Sequence, residues 1–195
     1  DKAWWFDFSS VTSPDDYYIY DGTNNKRSYT FTIGNTVFND ALEHAVRFFY
    51  YQRCGMAKTS PYAGPNYTDV TCHAGSMQDL NCRDVTQPSN ATLEKDLSGG
   101  WHDAGDYNKY TNFCFGTVNY LLDAYEQNPS VFKDNYNIPE SGNGVPDILD
   151  EIKYELDWLL KMQNSDGSVL MKLSTQGFTG GSPPSTDTPQ RFYGP

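Results

Sequence analysis

The chain contains 195 residues, which is enough for one hydrophobic core of ordinary domain size. Its 14 basic and 25 acidic side chains give a formal net charge of −11, so the chain repels phosphate backbones and nucleic acid is excluded as an expected partner. No apolar run approaches the roughly 20 residues needed to span a bilayer, so no membrane partner is expected either. Aromatic residues make up 15% of the chain, and their flat rings suit sugar stacking as well as core packing.

The first 34 residues are typical of β-structure. Tyr17-Tyr18-Ile19-Tyr20 precedes the turn-forming pair Asp21-Gly22, and Tyr29, Phe31 and Ile33 then alternate with polar residues. Two strands do not form a stable unit in water by themselves. We therefore interpret this stretch as the end of a sheet domain.

From Asn39 the apolar residues follow helical spacing, and three helices are predicted. The first begins at Asn39 and stops at Gly55, and the second covers about residues 112–128. The third has Pro146 in its first turn, a position that suits proline, and ends near Asn164. Its broad apolar stripe consists of Ile148, Leu149, Ile152, Leu156, Leu159 and Leu160.

Two further interpretations concern the third helix and the chain after it. The acidic residues Glu151, Glu155 and Asp157 are interpreted as the solvated face of that helix. A short strand is predicted at residues 169–173. Residues 177–195 are rich in Gly, Pro, Ser and Thr, and this composition predicts an extended loop.

The motif at residues 99–107 contains two carboxylates three positions apart, Asp103 and Asp106. The small residues Ala104 and Gly105 separate them, and glycine allows the backbone to turn sharply. Such a turn can direct both acids toward one point, where they could hold a water molecule and remove its proton. An isolated pair of this kind is also compatible with a solvated acidic loop.

Residues 56–110 lack helical or strand periodicity, and a loop of this length is usually functional or anchored. Four soft donors lie in it or at its entrance: Cys54, Cys72, His73 and His102. Zinc binds such Cys₂His₂ sets tetrahedrally in structural sites. One ion would tie the end of the first helix to the middle of the loop and to the residue before Asp103.

The spacing of the cysteines leaves a second possibility open. A Cys54–Cys72 or Cys72–Cys82 disulfide would suit a secreted protein equally well. Cys114 lies in the second predicted helix and is expected to be a buried small hydrophobic residue. The sequence gives Cys82 no other role.

Four ordered motifs resemble the family 9 glycoside hydrolases, which are inverting endoglucanases and related β-glucan hydrolases. They occupy residues 48–55, 99–107 and 138–151, followed by Met162-Gln163 with Asp166-Gly167-Ser168. The similarity runs from about residue 29 to the C-terminus. The chain looks most like the subgroup with an immunoglobulin-like domain before the catalytic domain. In that reading, residues 1–34 form the end of the first domain and the junction, and residues 35–195 form the N-terminal portion of the catalytic domain.

The resemblance implies a mainly α fold. It would be the first part of an (α/α)₆ barrel, preceded by the last strands of an immunoglobulin-like β-sandwich. Asp106 matches the family's general base, and Asp103 matches the aspartate that helps to hold the attacking water. The subgroup's structural zinc has ligands at the positions of Cys54, Cys72, His73 and His102. Calcium is possible in this family, but its sites cannot be mapped onto this sequence.

The resemblance also implies what is missing. The family's general acid is a glutamate far downstream, which no residue of this chain matches. A barrel of six helical hairpins needs twelve helices, whereas three are predicted here. The chain is therefore expected to be a fragment that has the remainder of the catalytic domain as its partner.

The expected function is inverting hydrolysis of β-1,4-glucosidic bonds in cellulose or a related β-glucan, which would be the substrate and partner. The triplets at residues 66–68 and 90–92 fit the N-glycosylation pattern and favour a secreted, extracellular protein. Two alternatives remain. One is a non-catalytic glucan-binding fragment, and the other is a hydrolase of the same fold that acts on a different β-linked sugar, such as a glucosamine-containing or mixed-linkage chain.

Overall fold

The computed structural model describes residues 5–178 and 180–194. The chain divides into two compact units, Asp1–His44 and Ala45–Pro195. Within the described ranges, no helix is long and apolar enough to cross a membrane.

In its described part, residues 5–44, the first unit contains four short strands in two antiparallel pairs. These are β1 (Asp15–Tyr17), β2 (Tyr20–Asp21), β3 (Lys26–Arg27) and β4 (Phe31–Ile33), with β1 paired to β4 and β2 to β3. The predicted β-structure of residues 1–34 is present from residue 15 onward, although Tyr17 and Tyr20 belong to different pairs, and residues 1–4 of that prediction lie outside the described residues. Two-stranded ladders do not by themselves form a sandwich, so the immunoglobulin-like assignment stays a prediction.

Four α-helices follow within the part of the chain that the structure describes: α1 (Asn39–Gln52), α2 (Ser60–Ala63), α3 (Thr111–Gln127) and α4 (Asp147–Met162). The three predicted helices are confirmed as α1, α3 and α4, and only the four-residue α2 was missed. Helix α4 has acidic residues in its first turn and Lys161 in its last, both of which favour the helix dipole. Helix α3 ends just before Pro129, which cannot continue a helix.

The main core of the second unit lies against α4. Trp158 and Met162 of α4 are 1% and 0% exposed. They pack with residues from other segments: Cys82, Leu97, Leu170, Leu173 and Tyr193. Gly100 makes this contact possible, because a Cβ on it would lie 2.7 Å from Trp158 Cγ. The predicted apolar stripe of α4 is therefore only partly right, since Leu156 and Leu160 are 40% and 70% exposed.

Two acidic residues of α4 face inward, so the interpretation of a solvated acidic face is wrong for Glu151 and Glu155. Both are 0% exposed. Glu151 Oε2 accepts a hydrogen bond from Arg53 Nε at 2.9 Å, and Glu155 Oε2 accepts one from the Trp101 backbone N–H at 2.6 Å. Only Asp157 is exposed as expected. The polarity of α4 did not predict this burial, because both partners come from distant segments.

A four-stranded sheet closes the second unit in the order β5-β8-β7-β6. Its strands are β5 (Arg83–Asp84), β6 (Lys109–Tyr110), β7 (Lys172–Ser174) and β8 (Phe192–Gly194). The strand predicted at 169–173 is thus displaced toward the C-terminus. The predicted loop at 177–195 is wrong at its end, because β8 pairs antiparallel with β7 and parallel with β5. Strand β6 begins two residues after the end of the 99–107 motif.

Candidate metal centre and active site

The end of α1 and the start of the 99–107 motif are joined through their backbones. Arg53 and Trp101 form an antiparallel bridge. On either side of it, the Cys54 N–H donates to the Gly100 carbonyl at 2.7 Å, and the His102 N–H donates to the Gln52 carbonyl at 2.8 Å. This pairing brings Cys54 and His102 together although 47 other residues separate them in the chain.

The four predicted metal ligands meet at one point. Their donor atoms all lie within 4.8 Å of one another, and all four residues are buried. Cys54 Sγ is 3.5 Å from His73 Nδ1, and Cys72 Sγ is 3.8 Å from His102 Nε2. Sulfur and nitrogen ligands of one tetrahedral zinc ion would be about 3.6 Å apart, given ordinary bond lengths. The donor set therefore fits a closed, four-ligand zinc site.

The disulfides considered from the spacing are not formed, because all four cysteines of the chain are free. A hydrogen bond with Cys54 lowers the pKa of the Cys72 thiol to about 7, although its burial opposes this. Burial lowers the pKa of His102, which favours the neutral imidazole that a metal requires. Cys82 lies in the main core, where its thiol donates to the Lys95 carbonyl at 3.2 Å.

A shell of buried charges surrounds the donors. His73 Nε2 lies 3.2 Å from Asp187 Oδ2, and Cys54 Sγ lies 3.3 Å from Asp79 Oδ2. Asp79 also pairs with Lys109 Nζ at 2.7 Å and with Arg191 Nε at 2.5 Å. Burial alone would raise the pKa of Asp79, but these two cations outweigh it and hold the value at about 2.

None of these buried charged residues was predicted from the sequence. They come from three segments of the chain and form no spacing pattern: Asp79, Lys109, Asp187 and Arg191. An isolated charged residue in a loop gives no local signal that it is buried. In the fold, Asp79 and Asp187 contact donor residues, and Lys109 and Arg191 pair with Asp79.

The two candidate catalytic acids lie in one closed turn directly after His102. The Asp103 N–H donates to the Asn108 carbonyl at 2.9 Å, and the Tyr107 N–H donates to the Ala104 carbonyl at 3.1 Å. Asn108 holds the Asp106 carboxylate through its backbone N–H at 3.1 Å and its Nδ2 at 3.2 Å. Asp103 is exposed and Asp106 is half-buried, so both carboxylates are accessible to solvent.

The electrostatics of the turn agree with two neighbouring acids. Partial burial and the negative charge of Asp106 together raise the pKa of Asp103. The sequence suggested that Gly105 would allow the sharp turn, but Gly105 does not have a positive φ. The residue of the turn in the left-handed region is Tyr107, with φ of 54°.

Tyr107 also connects the turn to the metal centre. Its ring centroid lies 4.8 Å from that of His102 and 5.7 Å from that of His73. Its hydroxyl donates to the Gly181 carbonyl at 2.5 Å. The turn is therefore fixed on its N-terminal side by His102 and on its C-terminal side by Tyr107.

A pocket of about 120 Å³ opens beside Asp103 and is lined in part by Trp101, Cys114 and Glu155. Burial raises the pKa of Glu155 to about 7, although Cys114 and the Trp101 N–H oppose the shift by hydrogen bonding to it. Cys114 is half-buried and packs against the main core, so its expected full burial is not observed.

Comparison with known proteins places the chain in a family. The model of Glycosyl hydrolase family 9 matches residues 38–193, and the chain belongs to this family. Endoglucanase D of Acetivibrio thermocellus is 38% identical over 196 aligned positions, covering 97% of this chain and 30% of that protein. A xyloglucan-specific endo-beta-1,4-glucanase of Bacteroides ovatus is 35% identical over 188 positions, covering 95% of this chain and 31% of that protein.

Solved structures give the same result. A metagenome-derived glycoside hydrolase family 9 endoglucanase matches with a TM-score of 0.79 and 39% identity, over 96% of this chain and 33% of that one. A Zn-binding triple mutant of endoglucanase J30 matches with a TM-score of 0.82 and 35% identity, over 97% of this chain and 35% of that one. These neighbours support the (α/α)₆ barrel as the fold to which this chain contributes. The chain spans about a third of the length of the relatives it matches.

Proposed function

We propose that the protein to which this chain belongs hydrolyses β-1,4-glucosidic bonds in cellulose or a related β-glucan, with inversion at the anomeric carbon. The observation that supports this most is the closed turn that holds Asp103 and Asp106 beside the buried Cys₂His₂ set, in a chain of glycoside hydrolase family 9. Asp106 would act as the general base, and Asp103 would help to hold the attacking water.

The geometry of the turn suits these roles. The two hydrogen bonds from Asn108 fix the orientation of the Asp106 carboxylate, and the partial exposure of both acids leaves room for water. Asp106 would take a proton from that water as its oxygen attacks the anomeric carbon. In inverting enzymes a carboxylic acid roughly 6.5–9.5 Å away protonates the leaving oxygen on the other face of the sugar. The family resemblance implies a glutamate outside this chain for that role.

Cys54, Cys72, His73 and His102 would hold a structural zinc ion. Four protein ligands leave no open coordination position, so such an ion would fix the backbone and would not activate water. The buried donor set and its distances support this assignment. One solved neighbour is described as a Zn-binding triple mutant of a family 9 endoglucanase.

The substrate is a large polysaccharide that cells cannot take up intact, and we therefore propose that the protein is secreted. The exact glucan is a separate question. One relative is described as a xyloglucan-specific endo-beta-1,4-glucanase and another as a cellodextrinase. A glucosamine-containing or mixed-linkage chain is the second candidate substrate class, since the turn itself would serve any β-linked sugar.

The test is to follow hydrolysis of soluble cello-oligosaccharides by the complete protein and to observe the first product by proton NMR. Inversion of a β-linkage gives the α-anomer first, before mutarotation mixes the two forms. Release of the β-anomer would contradict the proposed mechanism. Binding of glucan without release of any reducing sugar would instead support a non-catalytic glucan-binding protein.

A further inference from the structure

Residues 180–187, named here the crossing segment, are tied to the rest of the second unit at Gly181, Ser185 and Asp187. The Asp187 carbonyl accepts a hydrogen bond from Gln78 Nε2 at 2.9 Å. The Gly181 carbonyl accepts from the Tyr107 hydroxyl at 2.5 Å. The Ser185 N–H donates to Asp69 Oδ2 at 3.0 Å, and the Ser185 hydroxyl donates to the other carboxylate oxygen of Asp69. The Asp187 carboxylate lies against His73. The contact at Gly181 joins the segment to the turn at residues 103–108, named here the carboxylate turn, and the contact of the Asp187 carboxylate joins it to the metal centre.

The two ring nitrogens of His73 contact two different residues, Cys54 and Asp187. Its Nδ1 faces Cys54 Sγ at 3.5 Å, and its Nε2 faces Asp187 Oδ2 at 3.2 Å. The side chains of His73 and Asp187 are 0% and 3% exposed, so water does not compete for this contact. When Nδ1 binds a metal, the proton of the neutral ring resides on Nε2 and is donated to Asp187. A carboxylate in this position orients the imidazole ligand and increases its basicity.

We propose that Asp187 is a positioning residue that fastens the crossing segment to the metal centre through His73. The segment in turn holds the carboxylate turn from its C-terminal side, because Tyr107 follows Asp106 directly and bonds to Gly181. His102 holds the same turn from the other side, since it precedes Asp103. The metal centre thus restrains Asp106 by two routes, one through the chain at His102 and one through His73, Asp187 and the crossing segment.

The tie through Asp69 provides a matched control. Ser185→Ala removes the hydroxyl contact with Asp69 but leaves the pair between His73 and Asp187 intact. Asp187→Asn keeps the size of the side chain and removes its charge. If any loosening of the segment disturbed the metal, the two variants would behave alike. If Asp187 acts on the metal through His73, only Asp187→Asn will disturb metal binding.

The experiment uses the complete, zinc-loaded protein and measures the rate at which zinc is transferred to a colorimetric chelator. We expect Asp187→Asn to release zinc about 10–100-fold faster than the parent protein. We expect Ser185→Ala to release it at the parent rate. Zinc release within twofold of the parent for Asp187→Asn, or equal acceleration in both variants, would overturn the proposal.

A second measurement needs no substitution and so does not depend on a variant that folds. Limited proteolysis of the parent protein is compared before and after chelation, with cleavage sites mapped by mass spectrometry. We expect chelation to expose the crossing segment to cleavage, and unchanged protection after complete metal removal would overturn the proposal.

The effect on Asp106 rests on the proposed function and is measured separately. We expect Asp187→Asn to lower kcat with little change in KM. Unaltered kcat in a variant with accelerated zinc release would overturn the link to Asp106. A parent protein with no hydrolytic activity would reject the proposed function, while the zinc and proteolysis results would still decide the role of Asp187.

Discussion

The metal centre and the carboxylate turn are adjacent in sequence but differ in their surroundings. The donor residues Cys54 and His102 are 0% and 5% exposed, and Cys54 contacts Asp79, which forms buried ion pairs with Lys109 and Arg191. Asp103, which follows His102 directly, is exposed, and Asp106 is half-buried. A catalytic acid must meet water and substrate, so it cannot be fixed by deep burial. The chain instead fixes the backbone on either side of the acids through a buried centre.

The largest expected effect separates the two regions by their chemistry. Asp106→Asn keeps the hydrogen-bond acceptor for Asn108 but cannot take a proton from water. We expect kcat on a cello-oligosaccharide to fall roughly 10²–10⁴-fold, as is typical when a general base is lost. Zinc content and substrate binding should not change, because the substitution does not touch the donor set. Asp103→Asn should lower kcat by a smaller factor, and near-normal kcat for Asp106→Asn would refute its assignment as the base.

Removal of zinc should affect both regions, because the centre supports the turn. At free zinc 1,000 times above its Kd, bound zinc stabilises the folded state by about 4 kcal/mol. We therefore expect chelation to lower the melting temperature and kcat together, and re-addition of zinc to restore both. Asp106→Asn should lower kcat alone, which makes it the matched control. A melting temperature unchanged by chelation would show that the Cys₂His₂ set carries no structural metal.

A smaller effect is expected on the pH dependence of stability, through the buried Glu155, which lines the same pocket as Asp103. Burial raises its pKa to about 7, whereas an unfolded glutamate titrates near about 4.3. The folded state therefore holds a proton that the unfolded state releases between these values. The resulting contribution to the free energy of unfolding is present at low pH and is lost as pH rises through this window, by up to about 4 kcal/mol.

Glu155→Gln tests this directly, because glutamine retains an acceptor for the Trp101 N–H but does not ionise. We expect the variant to lose less stability than the parent between pH 5 and pH 8, as measured by urea unfolding across that range. Asp157→Asn, on the exposed side of the same helix, is the control and should leave the pH dependence unchanged. Parallel pH profiles for the parent and Glu155→Gln would contradict the assignment.

The sequence predicted features that depend on local spacing. Helices α3 and α4 were placed within about two residues of their observed ends, because their periodicity and flanking prolines are local signals. The motif at 99–107 indicated that Asp103 and Asp106 share one turn. The four soft donors were identified by residue type, and the free cysteines and donor distances then favoured metal over disulfide.

Features that depend on distant partners could not be predicted. Glu151 and Glu155 are polar residues on an amphipathic helix, and only Arg53 and the Trp101 N–H explain their burial. Strand β8 lies in a segment with loop composition and forms because its partners β5 and β7 are present. Asp187 is more than 100 residues from His73, so no sequence window contains both.

The most direct test of the account is chemical rescue of Asp106→Ala by azide, with soluble cello-oligosaccharide as substrate. Azide is a nucleophile that needs no deprotonation, so it can replace the water that the general base would activate. We predict that Asp106→Ala is nearly inactive without azide, recovers substrate turnover as azide is added, and forms a glycosyl azide with inverted configuration. A zinc-ligand variant such as Cys72→Ser should gain nothing from azide. No recovery in a folded, zinc-loaded Asp106→Ala protein would contradict the assignment of Asp106 as the general base held by the metal-anchored turn.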